Sequence, residues 1–190
     1  MRFRCLHSHR FALPLLAFAL LAPLPAVAQD TSSTDGRENF VHELRLGLLQ
    51  HDVGIWGSDS VEDGAAINGE LAFRALTHFW GGSLRPVLGG TISTEGRTNY
   101  GYGDLRWETF WDKVFFGIGF GEAIHDSSLK PDKNQKDLGS RVLFHVPAEL
   151  GYQFTPANRL SLYFEHVSNA GLGDPNPGMD NIGVRFSHRF

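Results

Sequence analysis

Three side chains near the C-terminus have the chemistry of a serine esterase. His166 and Ser168 are separated by one residue, and Asp180 follows after a loop rich in glycine and proline. A serine hydroxyl becomes a nucleophile when a base lies within hydrogen-bond reach, and that base needs a partner that fixes its tautomer. The three residue types therefore fit a nucleophile, a base and an orienting acid.

Two predicted strands decide whether these side chains meet. In the first strand, the residues that share a parity with His166 and Ser168 are apolar, namely Leu160, Leu162 and Phe164. In the second strand, those that share a parity with Asp180 are Ile182, Val184 and Phe186. Consecutive strands joined by a short loop pair antiparallel, so Asp180 is expected beside the other two on the outer face of a barrel. The alternative is that a histidine and a serine at the rim of a barrel only mark its polar interface.

Alternation with period two recurs along the chain and predicts an all-β protein. The predicted strands are 41–52, 65–76, 84–94, 100–110, 113–125, 139–154, 158–169 and 179–190. The longer connections are 53–64, 95–99, 126–138 and 170–178, and the shorter turns are 77–83, 111–112 and 155–157. Long external loops and short periplasmic turns are typical of outer-membrane proteins. We therefore predict an eight-stranded antiparallel transmembrane β-barrel of the bacterial outer membrane.

Charged side chains on the non-apolar faces balance in sign and predict a filled lumen. The acidic members are Glu43, Glu70, Asp104, Glu108, Glu149 and Glu165, and the basic members are Arg45, Arg74, Arg106, Arg141, Arg185 and Arg189. Eight strands enclose space for side chains rather than a pore, so we expect ion pairs inside. Aromatic residues near strand ends fit an interfacial girdle, namely Trp80, Trp107, Trp111, Tyr100 and Tyr102.

Three residues break the strand pattern. Pro86 and Pro147 fall inside predicted strands, where proline removes a ladder hydrogen bond, so we expect a bulge at each. Glu122 interrupts an otherwise apolar outer face, and the sequence offers no explanation for it.

The first 28 residues have the pattern of a secretory signal peptide. Three arginines precede the uncharged run 11–28, which ends in Ala-Val-Ala. A transmembrane anchor is the alternative, and three prolines in the run argue against it. We predict cleavage after residue 28, a loose polar segment over 29–40 and a single barrel domain over 41–190.

The composition excludes several classes of protein. The only cysteine is Cys5, in the predicted signal peptide, so a disulfide scaffold and a cysteine-ligated zinc site are excluded. The formal net charge of −4 gives no indication of nucleic-acid binding. The histidines outside the predicted triad are scattered, which favours interface or lumen positions. Neither a cofactor nor a metal is expected.

The segment 166–180 resembles the active-site segment of the lipid A 3-O-deacylases, the PagL family. It reads His-Val-Ser-Asn-Ala-Gly-Leu-Gly-Asp-Pro-Asn-Pro-Gly-Met-Asp. The stretches 117–126 (Gly-Ile-Gly-Phe-Gly-Glu-Ala-Ile-His-Asp) and 138–144 (Leu-Gly-Ser-Arg-Val-Leu-Phe) are also similar to that family. The resemblance implies an outer-membrane esterase that removes the ester-linked 3-hydroxyacyl chain at position 3 of lipid A. Its substrate is then lipopolysaccharide in the outer leaflet of a Gram-negative bacterium.

The resemblance also implies a role for each residue of the predicted triad. Ser168 becomes the nucleophile, His166 the base and Asp180 the acid. The family associates that acid with glutamate, whereas this sequence has the shorter aspartate, whose reach differs.

The same resemblance implies donors for the developing oxyanion. Asn176 matches an asparagine linked to oxyanion stabilisation, and backbone N–H groups from Asn169 to Gly171 are further candidates. The alternative for the Asn-Pro-Gly sequence at 176–178 is a plain turn.

Other functions stay open on the sequence alone. One is an outer-membrane phospholipase, and another is a non-catalytic structural or adhesive barrel. An acyltransferase is disfavoured, because it would hold its acyl chain inside a lumen that here is predicted to be charged. Lys130, Lys133 and Lys136 either contact lipid A phosphates or lie in a solvated loop. The oligomeric state also stays open, a homodimer included.

Overall fold

The structure, a computed structural model, describes residues 39–57, 60–129 and 133–190. The predicted signal peptide and residues 29–38 lie outside this part and stay predictions. Within the described residues, nine strands occur: β1 Val41–Gln50, β2 Ala65–Phe73, β3 Thr77–Phe79, β4 Gly82–Ser93, β5 Tyr100–Trp111, β6 Val114–His125, β7 Val142–Gln153, β8 Asn158–Ser168 and β9 Met179–Arg189. The same described residues contain no helix that is long and apolar enough to cross a membrane.

Eight of these strands close into an antiparallel barrel. Each long strand pairs with its neighbour in sequence, β1 also pairs with β9, and β2 pairs with β4. The short β3 forms a hairpin with the start of β4 and takes no part in closing the sheet. The predicted eight-stranded barrel is therefore confirmed, with one small hairpin inside a connection that was predicted to be a plain turn.

Strand ends differ from the prediction by a few residues. β2 ends at Phe73 rather than at 76, and β7 begins at Val142 rather than at 139. Gly139 has a positive φ of 67°, which an extended strand cannot accommodate, so the chain turns there. We call the end of the barrel with loops 51–64, 94–99, 126–141 and 169–178 the external end.

Alternation separates an apolar outer face from a polar interior. In β8, Leu160 and Leu162 point outward and are about half exposed, whereas Arg159, Ser161 and Tyr163 point inward and are buried. Outward apolar side chains such as Leu48, Ile67 and Leu88 repeat this pattern around the barrel; they are 59%, 54% and 58% exposed. An apolar exterior around a polar interior is the arrangement of transmembrane barrels.

Buried ion pairs fill the lumen. Arg45 contacts the carboxylates of Glu43 at 2.6 Å, Glu70 at 2.9 Å and Glu108 at 2.5 Å. Further ion pairs join Arg106 and Arg185 to Glu70 and Glu149. The lumen is thus a packed, charged core, because each of these groups is fully desolvated and needs a partner.

The composition of this lumen corrects the prediction. Arg85 and Arg159 take part, both with Glu108, although neither was predicted. Arg74, Arg141 and Arg189 form no ion pair within the described residues. Arg74 and Arg141 are exposed and lie just outside their strands, where period-two alternation no longer fixes the direction of a side chain. Arg189 shares the inward parity of Arg185 and Ser187, but it lies at the end of β9 and is only partly buried.

The predicted girdle is also partly wrong. Tyr100 and Tyr102 are buried in the lumen, where the Tyr100 hydroxyl donates to Glu165 and the Tyr102 hydroxyl donates to Glu70. Both share a parity with Asp104 and Arg106, which the sheet turns inward. Trp80 and Trp111 are exposed, as expected of interfacial residues.

The expected bulges at the two prolines do not occur. The β4–β5 register is continuous through Pro86, and the β6–β7 register is the same on both sides of Pro147. At Pro147 two cross-strand pairs are missing, and the residue opposite is Gly119. A Cβ added at Gly119 would lie only 3.0 Å from Cγ of the proline ring. A missing side chain opposite the ring, rather than an inserted residue, accommodates this proline.

Candidate functional site

Strand register brings the three predicted catalytic side chains together at the external end. His166 in β8 lies directly opposite Asp180 in β9, and Ser168 is the last residue of β8. All three share the parity of the outward apolar side chains. On the other side, Val146 is opposite His166, and Phe144 is opposite Ser168. The candidate site therefore lies on the outside of the barrel wall.

A chain of hydrogen bonds connects the triad. The distance from Nδ1 of His166 to Oδ1 of Asp180 is 2.6 Å, and that from Nε2 to Oγ of Ser168 is 3.0 Å. An ionised carboxylate only accepts hydrogen bonds, so Nδ1–H donates to Asp180. Nε2 then carries the lone pair and accepts from the Ser168 hydroxyl. This tautomer suits a general base.

The first external loop completes the surroundings of Asp180. The backbone N–H groups of Trp56 and Gly57 both donate to its second oxygen, Oδ2, at 2.5 and 2.7 Å. The carboxylate thus accepts on both oxygens and is completely buried. Its orientation is fixed from two sides, which in turn fixes the imidazole.

Two loops cover the imidazole of His166. The indole ring of Trp56 stacks on it, with ring centroids 4.7 Å apart and an interplanar angle of 29°. The last external loop also approaches the ring, because a Cβ at Gly178 would lie 2.8 Å from Cε1 of the imidazole, and Gly178 has a φ of 63°. His166 is only 8% exposed as a result, although it points away from the lumen.

Two of the candidate oxyanion donors form hydrogen bonds within their own loop. Oδ1 of Asn176 accepts the backbone N–H of Asn169 at 3.1 Å, and Oδ1 of Asn169 accepts the N–H of Gly171 at 2.9 Å. The N–H groups of Asn169 and Gly171 are therefore already engaged. Within the described residues the N–H of Ala170 and the side-chain NH₂ of Asn176 have no acceptor, and both residues line the groove beside Ser168.

Asn169 acts instead as an anchor for this loop. Its Nδ2 donates to the carbonyl oxygens of Leu138 at 3.0 Å and of Pro175 at 2.9 Å. The peptide bond between Asp174 and Pro175 is cis. The hydrogen bond from Asn169 to Leu138 attaches the loop that carries Asn176 to the neighbouring external loop.

An open groove of about 600 Å³ begins at the triad. Its apolar wall is formed by Phe120, Phe144 and Val146, and the two phenylalanine rings stack with centroids 5.6 Å apart. His166 and Ser168 lie along its polar side. A groove of this kind suits an acyl chain whose ester carbonyl reaches Ser168.

Glu122 lies at the level of Ser168 on the outer face. It is opposite Phe144 in β7, which is itself opposite Ser168. Glu122 is exposed, and no described residue forms a hydrogen bond or an ion pair with its carboxylate. The carboxylate that interrupts the apolar face thus lies near the external rim, where a charge on the lipid-facing surface costs least.

One of the three external lysines was misassigned. Lys136 is buried and its Nζ contacts Oδ1 of Asp52 at 2.5 Å, so it is not available to substrate phosphates. Lys133 is exposed, and Lys130 lies outside the described residues. Lys136 instead joins the external loops, because Asp52 also accepts the N–H groups of Val61 and Glu62.

Glu62 is the centre of this junction between loops. Its carboxylate accepts from the ring of His51 at 3.0 Å, from both the N–H and the hydroxyl of Thr98, and from the N–H of Lys136 at 2.8 Å. Burial alone would raise the pKa of Glu62, but these hydrogen bonds outweigh it and lower the pKa to about 2. Glu62 is therefore ionised at neutral pH and holds three loops together.

The site residues that sequence reasoning missed come from the first external loop and from β6 and β7. They are Trp56, Gly57, Phe120, Phe144 and Val146. For the loop residues, the available signal was the apolar pair Ile55-Trp56 in a loop whose other apolar side chains are Val53 and Val61. Within the part of the chain that the structure describes, no group of three His, Cys, Asp or Glu side chains could hold a metal ion.

Comparisons with known proteins bear on the family and the fold. The family model described as lipid A 3-O-deacylase (PagL) matches residues 61–189. A protein of Bordetella bronchiseptica named lipid A deacylase PagL is 34% identical over 86 residues. That match spans 45% of this chain and only 46% of the relative, less than half of either protein. The crystal structure of the outer membrane enzyme PagL matches at a TM-score of 0.59 with 18% identity, over 77% of this chain and 99% of that one. The last comparison shows the fold.

Proposed function

This chain belongs to the lipid A 3-O-deacylase (PagL) family, and from that premise we propose that it hydrolyses the ester at position 3 of lipid A. The nucleophile is Ser168, the general base is His166 and the orienting acid is Asp180. The product is a 3-hydroxy fatty acid. No cofactor takes part in the proposed reaction.

One observation carries the proposal. The hydrogen-bonded chain from Asp180 through His166 to Ser168 opens into an apolar groove on the outside of the barrel rather than in its lumen. A nucleophile in this position meets an ester only when that ester belongs to a molecule that lies against the barrel wall. In a membrane, such a molecule is a lipid.

The apolar exterior supports insertion into a membrane. Alternating outward side chains form an apolar surface around the barrel, and such a large surface is not stable in water. We propose that the chain is exported by the signal peptide over 1–28 and inserted into the outer membrane. The external loops then face the cell surface, and Ser168 lies at the level of the outer leaflet, where lipopolysaccharide is found.

The proposed reaction runs in two steps. Nε2 of His166 takes the Ser168 proton as the hydroxyl oxygen attacks the ester carbonyl, and the tetrahedral intermediate collapses as His166 protonates the departing sugar oxygen. This leaves an acyl group on Ser168. His166 then takes a proton from water as the water oxygen attacks the acyl group. The second tetrahedral intermediate collapses as His166 returns that proton to the Ser168 oxygen, which releases the fatty acid and regenerates both residues. Asp180 stays ionised and stabilises the imidazolium in both steps.

Two unengaged donors suit the negative charge that develops on the carbonyl oxygen. They are the N–H of Ala170 and the side-chain NH₂ of Asn176, both beside Ser168. The hydrogen bond from Asn169 to Asn176 fixes the amide of Asn176 in one orientation. A prealigned donor of this kind contributes about 2.7–4 kcal/mol to the stability of such a transition state.

Mass spectrometry of lipid A tests the proposal directly. Lipid A is extracted from cells that express the wild-type chain, Ser168→Ala, or Ser140→Ala as a matched control. The Ser140 hydroxyl lies in a neighbouring loop and donates to the carbonyl of Val142, away from the groove. We expect one 3-hydroxyacyl chain to be lost with the wild type and with Ser140→Ala, and none with Ser168→Ala.

Two results would count against it. Unchanged lipid A, from cells in which the barrel is folded and inserted, would exclude lipid A as the substrate; phospholipid products in the same extract would then point to a phospholipase. Deacylation that survives Ser168→Ala would show that Ser168 is not the nucleophile.

A further inference from the structure

Trp56 covers the catalytic base from outside the barrel. An outward-facing histidine on a barrel wall would ordinarily contact lipid or interfacial water, yet His166 is 8% exposed. The stacked indole accounts for much of this, while Trp56 itself is 63% exposed. The indole ring of Trp56 therefore separates the imidazole of His166 from the surroundings of the barrel.

The position of this ring is determined by the loop that carries it. The N–H of Asp52 donates to the side chain of Asn181 at 2.9 Å, and the N–H of Val53 donates to the carbonyl of Asp180 at 2.8 Å. The N–H of Trp56 then donates to the Asp180 carboxylate. Three bonds within five residues thus attach this part of the loop to the start of β9, which also supplies the triad acid.

The stacked geometry favours one protonation state of the base. When His166 takes the Ser168 proton, it becomes a cation whose ring lies against the face of an indole. A cation over an aromatic face is stabilised by the ring quadrupole, and tryptophan is the most effective of the aromatic side chains. The same ring excludes water, which strengthens the interaction of the imidazolium with Asp180.

We propose that Trp56 is a positioning residue that stabilises the imidazolium form of His166 during catalysis. This inference rests on the proposed function, since it assumes that His166 is the general base. It assigns to the first external loop a part in the chemistry, beyond its support of Asp180. The role requires an aromatic face at position 56 rather than bulk alone.

The experiment compares Trp56→Phe with Trp56→Leu, and uses Ile55→Ala as the matched control. Ile55 is the preceding residue of the same loop and is equally exposed, at 63%. We expect Trp56→Leu to lower kcat for lipid A deacylation about 2- to 30-fold with little change in KM. Trp56→Phe should restore most of kcat, and Ile55→Ala should leave it unchanged.

A second measurement does not depend on lipid A. The rate at which a fluorophosphonate probe labels Ser168 reports how well His166 activates the serine, whatever the natural substrate is. Trp56→Leu should slow labelling by a similar factor, and Trp56→Phe should slow it less. If the wild type is labelled but does not deacylate lipid A, the proposed function fails, and the Trp56 proposal is still decided by these labelling rates.

Four results would overturn the inference. Equal labelling of the wild type and Trp56→Leu would show that the indole does not act on the base. An equal loss in Trp56→Phe and Trp56→Leu would indicate loop packing instead. A raised KM at unchanged kcat would make Trp56 a wall of the groove. A wild type that is not labelled would remove both the triad and the role of Trp56.

Discussion

The amide of an Asp180→Asn variant cannot satisfy both neighbours of the present carboxylate. Oδ1 of Asp180 accepts from Nδ1–H of His166, and Oδ2 accepts from two backbone N–H groups of the first external loop. An amide has only one oxygen. If that oxygen stays with the loop, its NH₂ faces Nδ1, and the imidazole must move its proton to Nε2.

That change of tautomer removes the base. With a proton on Nε2, His166 can no longer accept the proton of Ser168. In serine proteases the corresponding substitution lowers kcat by about 10⁴ without changing the geometry. We expect a similar loss here, equivalent to about 5.5 kcal/mol of transition-state stabilisation. The barrel itself should fold, because Asp180 pairs only with groups at the external end.

Asp180→Glu is the informative companion to this variant. It keeps the charge, and the family associates this position with glutamate. The three contacts of Asp180, at 2.5–2.7 Å, leave no room for the extra methylene unless the loop moves. A displacement of about 1 Å costs roughly 10²-fold in rate, so we expect Asp180→Glu to fall between the wild type and Asp180→Asn.

The assay is the rate of release of 3-hydroxy fatty acid from purified lipid A in detergent, with each variant first checked for barrel folding. An Asp180→Asn variant that retains more than a tenth of wild-type kcat would refute the assigned role of the acid. Equal losses in Asp180→Asn and Asp180→Glu would attribute the effect to loop displacement rather than to tautomer control.

Three further predictions concern the scaffold around the site. Gly178→Ala should lower deacylation activity at least about tenfold, because its Cβ would lie 2.8 Å from the imidazole of His166. Gly96→Ala is the control and should leave the activity unchanged, because Gly96 has a similar φ of 67° but open space around it. Equal deacylation rates of the two variants would contradict this prediction. Arg45→Met should lower the free energy of unfolding by about 3–5 kcal/mol, because four buried carboxylates lose a shared cation and keep fewer arginines to balance their charge. Exposed Arg74→Met should change this free energy by less than about 0.5 kcal/mol. Chemical unfolding in detergent would show whether the two variants differ. The contribution of Glu62 to loop stability should be complete above its unfolded pKa of about 4.5 and should be lost as pH falls toward 2. Hydrogen exchange of the external loops should therefore show lower protection at low pH in the wild type. The same pH-dependent loss of protection in Glu62→Gln would disprove the assignment.

Alternation predicted the triad because a strand has only two faces. Once Leu160 and Leu162 are placed outward, His166 and Ser168 must follow them. A short loop then brings Asp180 back on the neighbouring strand, and the same parity applies. The outer position of the site could thus be derived from the sequence, without any knowledge of the loops.

The loops themselves have no such periodicity. Trp56 reaches His166 only because backbone hydrogen bonds attach its loop to β9, and no local pattern encodes that contact. Lys136 was misassigned for the same reason, since a lysine in a polar loop is ordinarily solvated, whereas its ion pair with Asp52 is long-range in sequence. Tyr100 was assigned to the girdle from its residue type alone. Its parity with Asp104 and Arg106 would have predicted a side chain that points inward.

The charged lumen has a consequence for the cell that carries this protein. Arg45 and its partner carboxylates are buried ion pairs in the barrel interior, and eight strands enclose space for side chains rather than for a channel. We therefore expect no ionic conductance in a planar bilayer and no increase in antibiotic susceptibility on expression. Under the proposed function, the packed barrel supports a hydrolytic site on its outer wall, so surface lipid would be modified while the permeability barrier of the membrane stays intact.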